Sequence, residues 1–354
     1  MRRTPPLIVG GGPAGSAAAL ALAHAGVRAC VIERQREFGD AICGGFVSWR
    51  TLHALRQLGI TPPGHPVTRV RLFSGGRSAD APLPAGAVGL SRRVLDTLML
   101  QAARDAGAAV EHDQVREVTE GAVRIGTHVE PTATLFLASG KYDVRGTPRP
   151  RPPGDPTLGL RVRLPASPHL LRLLGDAIEL HLFDRGYAGI VLQEDGSANV
   201  CLAVRKSRLT EAGGDPEALL RALGGEALGE RLAFMPGGLP ADAIAAVPYG
   251  WRARETEPRL YRLGDQAACI PSLAGEGIGI AVASGIAAAQ AWTKGVAAER
   301  FQRAFAARTA RPVTTARLLW QAAERPSLAP LAVAALSRAP WLATLGAVLT
   351  RVRD

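Results

Sequence analysis

Long apolar runs are missing from this 354-residue chain. No uninterrupted stretch reaches the roughly 20 apolar residues that a membrane-spanning helix needs, so a transmembrane protein is not expected. Cysteine occurs four times, as Cys30, Cys43, Cys201 and Cys269. None of them forms a CxxC pair, which argues against a zinc site, and such sparse use fits a reducing cytoplasm. Nucleic-acid-binding motifs are also missing. Basic side chains outnumber acidic ones, 42 to 31, but they are scattered and almost all Arg, so no nucleic-acid partner is expected. Aromatics make up only 5% of the residues. The start, Met1-Arg2-Arg3 followed by apolar residues, has some likeness to an export signal. Gly10-Gly11-Gly12-Pro13 interrupts that run, so no export signal is read there.

What the chain has is apolar residues, at 47%, and 40 glycines. That composition belongs to a globular protein, and the length suits two domains. Leu7-Ile8-Val9 reads as a short buried strand. Gly10-Gly11-Gly12-Pro13-Ala14-Gly15 follows, and Ser16 to Ala25 reads as a helix closed by Gly26. A second strand runs from Val27 to Ile32, with Glu33 and then Arg34 at its end. This is a dinucleotide-binding strand–turn–helix–strand. Gly10 allows the tight turn, Gly12 lets backbone approach a pyrophosphate, and Gly15 lets the helix pack close to the strand. The helix start offers free N–H groups to phosphates. Glu33 is placed to accept from ribose hydroxyls and would repel a 2′-phosphate.

Two further segments carry a resemblance. Arg92 stands four residues before Asp96 at the start of a helix that continues through Leu98, Leu100 and Ala103. Leu260-Tyr261-Arg262-Leu263-Gly264-Asp265 reads as a strand ending in Gly-Asp, followed by Pro271, Gly275-Glu276-Gly277-Ile278 and a helix to Ala291. With the first motif, these residues resemble the FAD-dependent oxidoreductases of the p-hydroxybenzoate-hydroxylase type, especially the geranylgeranyl-reductase-like flavoproteins, over about residues 7–290. The resemblance implies that Arg92 reaches the FAD and that Val115 lies against the adenine. It also implies that Asp265 binds the ribityl or pyrophosphate region. Gly275, Gly277 and Ile278 would start a helix aimed at the N1/O2 edge of the flavin, where a helix N-terminus stabilises the negative charge of the reduced ring.

The resemblance further implies an α/β fold: a Rossmann-type FAD-binding domain (parallel sheet plus β-meander) with an inserted antiparallel-sheet substrate domain. Residues 1–64, 88–145 and 251–300 are assigned to the first, and 65–87 and 146–250 to the second. Strands are expected at Ala108–Val118, Ala122–Val129, Ala133–Ala138, Val162–Leu164, Ala177–Phe183, Tyr187–Gln193 and Ala198–Val204. Asp195-Gly196 reads as a hairpin turn, Asp215–Leu228 as a helix, and Pro148–Pro156 as a connector. Residues 301–354 form an apolar helical tail broken by Pro312, Pro326, Pro330 and Pro340. The tail holds eight Arg against Glu324 and Asp354. It either packs onto the cofactor domain or makes peripheral contact with an anionic membrane surface at its inner, cytoplasmic face.

Reductases of the resembled group carry a Cys-Gly-Gly segment near the flavin ring, here Cys43-Gly44-Gly45. Cys43 is either a proton donor to carbon after hydride transfer or a small residue packed on the ring. Tyr187-Ala188-Gly189 and Tyr249-Gly250-Trp251 supply the aromatic groups on the substrate side. Two departures stand out. Ala138-Ser139-Gly140-Lys141-Tyr142-Asp143 lacks the Asp-Gly of the aromatic hydroxylases, and no Tyr-x-Trp-x-Phe-Pro segment of the isoprenoid reductases is present. The leading expectation is therefore an FAD-dependent oxidoreductase that reduces or oxidises a carbon–carbon bond of a small apolar substrate. A monooxygenase working through a flavin C4a-hydroperoxide and a non-catalytic electron carrier remain open. With one dinucleotide fingerprint in the chain, NAD(P)H would serve only as a transient donor. Oligomeric state is not legible.

Overall fold

A computed structural model describes residues 4–151, 153–223, 226–235, 242–244 and 247–353. The strand Leu7–Val9 is wholly buried and lies inside a five-stranded parallel sheet. The strand order is Leu260–Arg262, Leu135–Leu137, Leu7–Val9, Cys30–Glu33 and Ala109–His112. Cys30–Glu33 begins later than the expected Val27, because the Val27 N–H still bonds back to Leu22 O and closes the preceding helix. The expected strand 108–118 is two strands. Ala109–His112 joins the parallel sheet, the chain turns at Asp113, and Val115–Thr119 opens a three-stranded antiparallel meander with Ala122–Ile125 and His128–Pro131.

The helices Pro13–His24 and Gly277–Thr293 lie against each other beside this sheet. Both are apolar on nearly every face, as fully packed helices must be. Their contact is close because Gly285 has no side chain: a Cβ there would sit 2.3 Å from Ala14 O and 2.8 Å from Ala18 N. Two segments some 260 residues apart in the chain are thereby placed side by side.

An eight-stranded sheet stands next to this layer. Its order is Asp242–Ile244, Thr157–Leu164, Ala198–Arg205, Gly186–Leu192, Ala177–Phe183, His65–Ser74, Arg77–Gly89 and Phe46–Val47. It is antiparallel as expected except that Ala177–Phe183 runs parallel to His65–Ser74. The Asp195-Gly196 turn forms as read, with Gly196 at φ 77°. Asp215 caps the helix Pro216–Ala222 by accepting from Glu217 N. The expected continuation to Leu228 is instead a second helix, Glu226–Leu232, and residues 224 and 225 lie outside the described residues.

The tail comprises the helices Ala298–Arg308, Ala310–Ala323, Ala329–Arg338 and Trp341–Leu349. Pro312 does not break it. It sits in the first turn of Ala310–Ala323, where a missing N–H leaves no intrahelical bond unmade, and the break falls at Thr309. Pro330 likewise starts a helix. The last two helices pack on the strand Arg77–Gly89 of the larger sheet, with Pro330 over Gly75 and Thr344 Oγ1 donating to Pro82 O. Among the described residues no single helix is long and apolar enough to cross a membrane.

Glu179 ties the large sheet to its helices. Fully buried, it accepts from Arg71 Nη1 at 2.8 Å, Arg231 Nε at 2.9 Å and His181 Nε2 at 3.0 Å. Burial opposes its charge, but His181 and Arg231 outweigh that and hold the carboxyl at about 2, against an ordinary 4.5. A depressed carboxyl adds stability above its unfolded pKa and loses it as pH falls towards the folded one. Glu179→Gln should therefore cost about 3 kcal/mol at pH 7, because Arg71 and Arg231 lose the buried charge between them and keep only the more exposed Asp80 and Glu230. The cost should shrink between pH 4.5 and about 2. Urea unfolding at pH 7 and pH 3 checks this, and an equal deficit at both would refute it.

Candidate cofactor and substrate site

The glycine turn, the start of the Arg92–Asp105 helix, the Gly264-Asp265 turn and the start of the Gly277–Thr293 helix all open onto one cavity of about 310 Å³. That volume is in the range of small-molecule sites, roughly 300–1,000 Å³. Each glycine has a structural reason. Gly10 adopts φ 100°, and a Cβ on it would lie 2.6 Å from Ala138 O. A Cβ on Gly15 would lie 1.9 Å from Gly10 O, so only glycine lets the helix start against the turn. Gly12 meets nothing closer than Arg92 Nη2 at 3.6 Å, which leaves its backbone open to the cavity together with Pro13 and Ala14.

Glu33, at the end of the second strand, is buried and accepts from Gly11 N at 2.7 Å and Gln35 N at 2.9 Å. Both carboxylate oxygens keep further acceptor capacity on the cavity side. Arg34 lies over the Tyr142 ring at 4.3 Å, and Val115 completes this end of the cavity. Arg92 makes a bidentate pair with Asp96 at 2.8 and 2.7 Å. Burial works against the guanidinium charge, but Asp96 and then the Cys43 thiol outweigh it and strengthen the charge.

Asp265 lines the cavity, and among the described residues its carboxylate accepts no hydrogen bond from the protein. Its backbone is held instead: Arg149 Nη1 donates to Asp265 O at 3.0 Å. Arg149 also binds Asp143 Oδ1 at 2.7 Å and Lys141 O at 2.6 Å. The stretch read as a connector thus delivers a buried arginine that braces the cavity wall. Gly275 is left-handed at φ 60°, and a Cβ there would lie 2.9 Å from the Phe46 ring. Gly275, Gly277 and Ile278 all face the cavity.

At the other end Cys201 and Ser272, which the sequence reading did not assign to the site, join Tyr249 and Cys43, which it did. Cys201 faces the cavity from the large sheet, and burial pushes its thiol up to about 12. Ser272 accepts from Tyr187 Oη at 2.6 Å and pairs with Tyr249 Oη at 2.9 Å. Burial raises both phenols, so they stay protonated. Tyr249 lines the cavity, whereas Tyr187 stands behind Ser272. Cys43 also lines the cavity, and its carbonyl accepts from Asn199 Nδ2 at 2.9 Å. The buried Cys269 lines it too. Strand pairing brings in Cys201, which no motif marks, whereas Ser272 lies inside the second glycine element, directly after Pro271, and the sequence reading passed over it. No group of His, Cys, Asp and Glu able to hold a metal occurs among the described residues.

The glycine cradle, the Asp265 carboxylate that accepts from no described protein group and the Glu33 acceptors fit a dinucleotide laid along this cavity. Asp265→Ala should weaken FAD binding by about 10–100-fold, the worth of hydrogen bonds to a charged group. The thermal midpoint of the apoprotein should not move, since no protein contact is lost. Flavin fluorescence titration and thermal unfolding of apoprotein check the two halves, and unchanged affinity would remove Asp265 from the site.

Comparison with known proteins agrees with this geometry. Residues 3–136 match the FAD binding domain family. The chain is 29% identical over 243 residues to digeranylgeranylglycerophospholipid reductase 2 of Methanopyrus kandleri, a match covering 61% of this chain and 58% of the relative. Among solved structures, a geranylgeranyl bacteriochlorophyll reductase-like protein of Thermoplasma acidophilum superposes with a TM-score of 0.70 at 20% identity, covering 94% of this chain and 91% of that one. PqsL of Pseudomonas aeruginosa, solved with 2-aminobenzoylacetate, gives 0.70 at 18% identity over 92% of this chain and 98% of its own. A triple mutant of a flavin-dependent brominase gives 0.76 at 14% identity over 99% of this chain and 96% of its own. The protein is thus a flavoprotein: it carries an FAD-binding domain, takes FAD as its cofactor and has the architecture of the FAD-dependent oxidoreductases.

Proposed function

We propose that this flavoprotein is an FAD-dependent oxidoreductase that reduces a carbon–carbon double bond of an apolar, lipid-like substrate. One observation carries the reading. Every residue that the large sheet gives to the cavity is uncharged: Phe46, Gly159, Cys201, Leu202 and Ile244. Gly159 makes room there, with Ile244 and Ile42 methyl groups 3.0 and 3.3 Å from where its Cβ would stand. Such a surface favours hydrocarbon and offers no carboxylate to bind a cationic or strongly polar substrate. The curated relative, named as a reductase of a digeranylgeranyl lipid, supports the same substrate class.

Bound FAD, once reduced, supplies a hydride; the protein must supply the matching proton. Adding one hydride and one proton across C=C balances the reaction. Two side chains with a proton to give line the cavity, Cys43 and Tyr249. Cys43 is the better placed, because the negative charge left on its sulfur lies beside the Arg92 guanidinium. Tyr249, held by Ser272, orients the substrate. The electron donor is NAD(P)H binding transiently or a reduced protein partner.

The tail supports a lipid substrate in a second way. Leu318, Leu331, Trp341 and Leu345 are 59, 63, 64 and 43% exposed. Exposed Arg311, Arg317, Arg325 and Arg338 lie on or between the same helices. Apolar groups framed by arginines match an anionic bilayer surface, on which we place the protein peripherally from the cytoplasmic side.

Anaerobic single-turnover mixing of photoreduced enzyme with unsaturated isoprenoid lipids tests the reaction. Flavin reoxidation should accompany saturation of the product, and Cys43→Ala should slow that step by about 100-fold, the usual worth of a positioned acid. Label from ¹⁸O₂ appearing in product would replace this reading with a monooxygenase. In a vesicle flotation assay, the wild type should rise with phosphatidylglycerol vesicles, while L331S/W341S/L345S should not. Equal flotation of the two would remove the membrane surface.

A further inference from the structure

The residue between the two cavity glycines points the other way. Gly275 and Gly277 face the cofactor cavity, whereas Glu276 does not. Its carboxylate folds back over Gly279, where a Cβ would lie 2.6 Å from Glu276 Oε1 and 2.9 Å from Thr51 Oγ1. Gly279 therefore makes the space that the carboxylate occupies. There Glu276 Oε2 meets Arg351 Nη1 at 2.9 Å and accepts from Ser48 Oγ at 3.3 Å, while Oε1 accepts from Val352 N at 3.1 Å. Both partners of the ion pair are buried, at 1% and 3% exposure.

Arg351 gathers the whole corner. It donates to Ala274 O at 2.7 Å and lies over the rings of Trp49 at 5.0 Å and Phe46 at 5.7 Å. Phe46 in turn rests against Gly275. One arginine from the tail thus holds the loop that opens the Gly277–Thr293 helix.

The charge arithmetic matters because of where this loop is. Glu276 occupies the N-cap position of that helix but makes no capping bond with its side chain. The free N–H groups of the helix start are therefore left to the cavity. A carboxylate released from Arg351 would keep Ser48 Oγ and Val352 N but lose its buried counter-charge, and it stands at the N-cap of the helix whose free N–H groups open on the cavity. It would then compete with the cofactor for them and set a negative charge beside a ring that becomes negative on reduction.

We infer that Arg351 is a positioning residue for the flavin. By pairing with Glu276 it keeps the N-terminus of the Gly277–Thr293 helix open and electrostatically positive towards the reduced cofactor. The inference depends on FAD occupying the cavity and is independent of which substrate is reduced. It also means that truncating the tail would disturb the flavin as well as any membrane contact.

The test measures the two-electron potential of bound FAD by dye equilibration and the FAD dissociation constant by titration. The variants are Arg351→Met, Arg351→Lys, Glu276→Gln and the double variant R351M/E276Q, all in the full chain. Arg351→Met should shift the potential to more negative values and weaken FAD binding about tenfold or more, the scale expected for an unpaired buried charge. Arg351→Lys should retain most of both properties, and Glu276→Gln should shift the potential the opposite way. The double variant has no carboxylate to release, so it should return towards wild type. An unchanged potential in folded Arg351→Met overturns the inference. So does a double variant that keeps the defect. Should Arg351→Met fail to fold, the double variant decides: folding with near-wild-type potential upholds the charge role, and anything else assigns Arg351 to packing alone.

Discussion

The candidate cofactor cavity exists because two apolar helices touch. Pro13–His24 carries the glycine turn, and Gly277–Thr293 carries the second glycine element at its start. They approach to backbone contact only because Gly285 presents no side chain to Ala14 O and Ala18 N. Gly264 repeats the pattern, with a Cβ position 3.2 Å from the Ala14 methyl. With the helices in register, both helix starts open on one cavity, and their unpaired N–H groups define its electrostatics. A close-packed contact of this kind tolerates little adjustment, so the geometry of the site is inherited from the packing.

Around this contact the protein spends its buried charge on holding loops. Arg92 is locked by Asp96, and Arg149 spans three loop acceptors. Arg351 spans the Ala274 carbonyl and Glu276. Of the three, Arg149 reaches two separate loops at once, 141–143 and the Asp265 turn, through the several donors of one guanidinium. The abundance of arginine, which from composition suggested a partner of opposite charge, is in part internal. The exposed arginines of the tail are a separate set.

The cofactor end was legible because its chemistry is written locally. A tight turn, a close backbone approach and a helix start each require glycine at a fixed spacing, and Glu33 must follow at the next strand end. The opposite end was legible only in part. Tyr249 was named from the sequence and Ser272 follows Pro271 inside the second glycine element, but Cys201 and Ile244 come from separate strands that no spacing rule connects to the motifs. Arg149 was hidden in a stretch whose prolines suggested an exposed connector. Pro312 was read as a break, although its place in a first helical turn costs no hydrogen bond.

The chain by itself determined the parallel core strands, the nucleotide turn and the presence of a second glycine element, because each follows from short-range sterics and hydrophobic burial. Tertiary structure alone decided that the two elements meet, that the eight-stranded sheet gives the cavity a neutral wall, and that Arg351 reaches Glu276 across 75 residues. Such contacts depend on how strands pair and helices cross. Those choices are made by the summed packing of the whole core, and no local pattern records them.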